Sequence, residues 1–120
     1  SARNYSTAGV AMEDKMQACM QELLHGKKYV RLSLDQLRAF NNYLANAGFS
    51  ISRMETIKTA GARTGRRLDY DILVLPEHEE GWSIFADPDR SRARVVDIVD
   101  QAVREGGTFE FLVWAEKPSG

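Results

Sequence analysis

Cysteine is almost missing from the 120-residue chain, which carries Cys19 alone, so an intramolecular disulfide, a CxxC metal pair and a dithiol redox pair are all excluded. A reducing compartment suits such usage. Histidine is nearly as scarce. His25 and His78 stand alone, and zinc ordinarily draws several His or Cys ligands. Long apolar runs are also missing, so no stretch is expected to span a bilayer, and the opening Ser1-Ala2-Arg3-Asn4-Tyr5-Ser6 has no apolar signal core. The expectation is a cytoplasmic protein without a membrane partner. No internal repeat is found either.

What is present fits one domain. A hydrophobic content of 43% is enough for a core without disulfides or a structural metal. Sixteen Lys and Arg against seventeen Asp and Glu argue against a disordered chain and against a globally cationic nucleic-acid binder. The balance hides an asymmetry. Residues 1–67 hold eleven basic and five acidic side chains, and residues 68–120 hold five and twelve, so the halves carry +6 and −7. A polarised surface of this kind can steer a partner into register, unless the two halves interleave in the fold and mix their charges.

Residues 1–9 are polar and aperiodic and are expected to form a flexible arm, with a single α+β domain over residues 10–118. Met12, Met16, Cys19, Met20, Leu23 and Leu24 recur as one stripe of a first helix stopped by Gly26. Ser33 and Gln36 have the spacing of a capping box, opening a second helix whose apolar face is Leu34, Leu37, Phe40, Leu44 and Ala47, with Gly48 at its end. From Phe49 the period falls to two. Strands are expected near residues 49–57 and 68–75, joined by a glycine-bearing turn, then a short strand at residues 82–86. Asp87-Pro88 opens a third helix with Val95, Ile98, Val99, Ala102 and Val103 on its apolar face, and Phe109, Phe111 and Val113 alternate with Glu110, Leu112 and Trp114 in a final strand. The expected architecture is an antiparallel sheet of about four strands under helices, in the order α-α-β-β-β-α-β.

Catalytic constellations are thin. Asp69 and Asp71 on one strand face would stand about 7 Å apart, a spacing open to an acid/base pair or a divalent ion but more often the wet side of a strand. His78 beside Glu77, Glu79 and Glu80 reads as a solvated acidic loop in preference to a metal site, and Cys19 within an apolar stripe reads as an inert thiol. No catalytic residue, cofactor or metal is expected. Residues 61–67 lack the Walker spacing of a phosphate loop, leaving a hairpin tip with Arg63, Arg66 and Arg67 and with Lys58 near its base. Those four are the alternative site, for nucleic acid, although aromatic interleaving and a wider basic field are lacking.

Two surfaces are expected to meet a protein partner. One is the methionine stripe of the first helix, soft and adaptable, whose periodicity serves a core face equally well. The other is the second face of the sheet, with Leu73, Leu75, Phe85, Leu112 and Trp114 as candidates, too apolar to be left in water unless a helix, a second copy or another protein covers it.

The run Met16-Gln17-Ala18-Cys19-Met20-Gln21-Glu22-Leu23-Leu24, the hairpin over residues 63–76 and the ending over residues 107–118 resemble the QslA-like quorum-sensing anti-activators of bacteria. The likeness lies in length and order and assigns no site residue. It implies a homodimeric protein that binds the ligand-binding domain of a LuxR-type transcriptional regulator and blocks the dimerisation that the regulator needs to hold DNA.

Overall fold

A computed structural model of the chain describes residues 2–118, with side chains from residue 11 onward. Among the described residues lie four α-helices and a five-stranded antiparallel sheet. The fold is α+β. In chain order they are α1 (Ala2–Leu24), β1 (Val30–Ser33), α2 (Leu34–Asn46), β2 (Ser50–Ala60), β3 (Arg63–Arg66), β4 (Ile72–Leu73), α3 (Glu79–Phe85), α4 (Pro88–Glu105) and β5 (Thr108–Glu116), with one 3₁₀ turn at Leu68–Tyr70. The principal order is the expected one, with β1 and α3 added. Helix α1 begins at Ala2 and so takes in residues 2–9, which the sequence reads as an arm.

Local chemistry sets most boundaries. Ser33 Oγ accepts from the Gln36 N–H at 3.3 Å while Gln36 Oε1 accepts from the Ser33 N–H at 3.0 Å, closing the capping box of α2. At the other end Gly48 has φ +80°, and the Phe49 N–H reaches Leu44 O at 2.8 Å, the bonding of a Schellman motif. Asp87 caps α4 by accepting from the Asp89 and Arg90 N–H groups, with Pro88 at the first helical position.

The sheet runs β1-β5-β2-β3, with β4 pairing β2 beside β3. Its inner face carries Val30, Leu32, Met54, Thr56, Phe109, Phe111 and Val113, all buried. Helix α2 covers it with Leu37, Phe40 and Leu44, and α4 with Val95, Val99 and Ala102. Helix α1 packs against α2 and β1 and adds Met16, Cys19 and Met20 to the same core. Val103, expected on the inner stripe of α4, is half exposed.

Three expectations are corrected. Residues 82–86 form the end of α3 and its cap, not a strand: Phe85 is buried with Ile84 half-buried beside it, Trp82 and Ser83 stay exposed, and Glu79 and Glu80 stand at the favourable N-terminal end. The hairpin turn is only Gly61-Ala62, with Gly61 at φ +62° as a type II′ turn requires, so Arg66 lies in β3 and Arg67 beyond it. Residues 68–75 are not one continuous strand, because the 3₁₀ turn buries Tyr70 and interrupts the ladder.

Candidate protein-binding surface

The outer face of the sheet is built by a bulge. Ile51 pairs Ala115 and Arg53 pairs Trp114, so two steps of β2 match one step of β5. The alternation therefore changes phase at Ser52. Ile51 and Met54 both turn into the core, while Arg53, Glu55 and Ile57 turn outward.

The register then lays out the face row by row. Arg53 stands between Trp114 and Leu73, Leu112 between Arg31 and Glu55, and Glu110 between Ser33 and Ile57. Arg31 bonds Glu110 at 2.7 Å and Arg53 bonds Glu55 at 2.8 Å, so most charge on the face is already matched. What is left is apolar. Trp114 and Leu112 are successive outward residues of β5, Ile57 lies diagonal to Leu112, and Leu73 is 61% exposed. The Trp114 ring is held between Tyr29, with centroids 4.9 Å apart, and the Arg53 guanidinium, 4.7 Å from its centre.

Of the apolar residues marked in the sequence, the structure brings Leu73, Leu112 and Trp114 to this face. The others lie elsewhere. Leu75 is half-buried in the loop after β4, and Phe85 is buried on α3 with its ring 5.4 Å from Trp82. On α1, Met16, Cys19 and Met20 are core, Met12 and Leu23 are half-buried against it, and Leu24 alone is well exposed. Burial, with Glu22 second, raises the Cys19 thiol above its usual pKa. Tyr29, Arg31, Arg53, Glu55 and Ile57 were not marked. For Arg53, Glu55 and Ile57 the signal is the alternation of β2, hidden by the phase change at Ser52, whereas Tyr29 and Arg31 lie in and before the short strand β1.

Lys58, Arg63, Arg66 and Arg67 line one open depression of about 340 Å³ at the hairpin, but most of its charge is already matched. Alternation sends Arg66 outward, where it bonds Asp71 at 2.5 Å, whereas Lys58 bonds Glu105 at 2.5 Å at the end of α4. Arg67 bonds both Glu105 and Asp69, and Tyr70 donates to Glu105 at 3.1 Å. Hydrogen bonds from Arg67 first and Lys58 second hold the Glu105 carboxyl down at about 2, and the Asp69 bond, ahead of Glu105, raises the Arg67 pKa further. Only Arg63 of the four is outside an ion pair among the described residues.

Asp69 and Asp71 do not share a strand face either. Asp69 lies in the 3₁₀ turn against Arg67, and Asp71 accepts from the Thr56 N–H at 2.7 Å as well as from Arg66. His78 is exposed at the start of α3 and makes no capping bond. Among the described residues no three of His, Cys, Asp or Glu gather as a metal ion requires, and no helix is long and apolar enough to cross a membrane. Comparison with protein-family models finds no family that matches the chain, and comparison with curated proteins finds no matching relative.

Proposed function

We propose that this chain is a non-enzymatic, cytoplasmic protein-binding inhibitor that docks its partner on the outer face of the sheet. The observation behind this reading is the outward apolar line of Trp114, Leu112 and Ile57, each partly exposed, continued by the well exposed Leu73 and set among ion pairs. An apolar centre within a polar surround is the anatomy of a protein interface. A fixed tryptophan flanked by arginine and tyrosine is the usual composition of its energetic centre.

The class of partner comes from the resemblance over residues 16–24, 63–76 and 107–118, which points to an anti-activator acting on a LuxR-type quorum-sensing transcription factor as a homodimer. The physics of such inhibition is simple. A regulator that spans two half-sites as a dimer loses affinity steeply when one protomer is masked, since both half-sites contribute to specific binding. The inhibitor needs a complementary surface of ordinary interface size and no reactive group.

Mixing the chain with the ligand-binding domain of a LuxR-type regulator, followed by size-exclusion chromatography with light scattering, tests the reading. A discrete complex is expected with the natural chain and not with Leu112→Arg or Ile57→Arg. Absence of a complex, or a complex indifferent to both substitutions, would overturn it.

A further inference from the structure

At one end of the outer face, the bulge of β2, the end of β5, β4 and the link after α1 enclose a depression of about 360 Å³. This is within the range of concave sites that hold a ligand or an anchoring side chain. We propose that it receives an acidic, amphipathic segment of the partner protein, with an apolar side chain against Leu73 and Trp114 and carboxylates against Lys27 and Lys28. The inference rests on the outer face being the docking surface and adds the chemistry of what docks there.

Charge selects the occupant. Lys27, Lys28 and Arg53 line the depression against one carboxylate, Glu116, in a chain whose net charge is −1. Lys28 is exposed and makes no ion pair among the described residues. Lys27 bonds Glu22 at 3.1 Å with both side chains about half exposed, and such pairs exchange readily for a better partner. A basic segment would meet like charge, which an interface penalises.

The apolar floor argues for a peptide over a bare anion. Leu73 offers a side chain that a phosphate or a free carboxylate would leave in water. Trp114 is held by Tyr29 and Arg53, while the Val74 N–H and the Ser52 hydroxyl tie β4 and β5 to the bulge through Ser52 O and Trp114 O. The floor is therefore ordered before anything binds, which lowers the entropy lost on association.

The probe is a fluorescein-labelled peptide alternating leucine and glutamate, with a leucine and lysine peptide as its control. The protein carries Trp82→Phe, which leaves Trp114 as the one tryptophan. The acidic peptide is expected to shift Trp114 emission and to bind about fivefold or more weakly as salt rises from roughly 50 to 300 mM. Lys28→Glu is expected to weaken it about tenfold and Leu73→Ala about fivefold, with unfolding temperatures unchanged. No binding, equal binding of the basic peptide, indifference to Lys28→Glu, or displacement by a single-stranded DNA oligonucleotide at lower concentration would each overturn the proposal. The docking reading fails separately. A regulator complex lost with Leu112→Arg but unchanged by Lys28→Glu and Leu73→Ala removes only the acidic segment, whereas peptide capture without any regulator complex removes only the regulator.

Discussion

The guanidinium of Arg53 lies 4.7 Å from the centre of the Trp114 ring, directly across the ladder between β2 and β5. The pair exists because of the bulge at Ser52. Unbroken alternation would put Arg53 on the side of Ile51, which is buried in the core. One extra residue thus lets Ile51 and Met54 both pack inward and turns a charged, aromatic row outward, so the same irregularity serves the core and the candidate surface.

The position of Met20 makes the methionine helix a stability element in the free chain. Met20→Ala is expected to destabilise by about 2–4 kcal/mol through the cavity it leaves. Leu24→Ala, at a side chain 57% exposed, should change stability by no more than about 0.5 kcal/mol. Urea unfolding midpoints of the two variants check the contrast. Equally small effects would return the stripe to the surface.

Glu105 joins the end of α4 to the hairpin through Lys58, Arg67 and Tyr70. Its carboxyl is held down at about 2, whereas an unfolded glutamate titrates near 4.3 by the ordinary reference value. A depressed carboxylate contributes stability above its unfolded pKa, and that contribution is lost as pH falls through the folded value. The natural chain is therefore expected to outlast Glu105→Gln in thermal unfolding at pH 6, with the gap closing between about pH 4.3 and 2. A gap constant across that window would show that the carboxylate charge is not what holds the contact.

Arg94 on α4 keeps Nε and one terminal nitrogen buried without a hydrogen-bond partner among the described residues, and burial lowers its pKa. A guanidinium in that position opposes folding, while its stem still packs. Arg94→Met keeps the stem and removes the charge. The expected result is a gain of about 1 kcal/mol in denaturant unfolding, and a loss would mean that the charge is compensated in the folded chain.

The parts legible in the sequence were those decided by neighbouring residues. Ser33 with Gln36, Asp87 with Pro88 and the glycine after α2 fix helix ends through bonds made within a few residues, and the strict alternation of β5 put Phe109, Phe111 and Val113 on one face. Outcomes set by distant partners were not legible. The bulge depends on how β2 meets β5, and an apolar stripe looks the same whether it faces α2, as Met16 and Met20 do, or a partner. Hence Leu73, Leu112 and Trp114 were placed correctly on the second face while Phe85 was not, its short segment being too brief to separate a period of two from one of 3.6.

Two glycines test that last distinction. Gly81 lies inside α3 without a positive φ, and a Cβ added there meets open space. Alanine also restricts the unfolded chain and favours a helix, so Gly81→Ala is expected to stabilise by about 0.4–1 kcal/mol. Gly61 also has open space around it, but its φ of +62° is one that an L side chain rarely adopts. Gly61→Ala should therefore destabilise by about 1–2 kcal/mol. Because neither site is crowded, backbone conformation alone separates the two outcomes. Thermal unfolding of the pair reads it directly, and stabilisation at position 61 or destabilisation at position 81 would contradict the turn and the helix respectively.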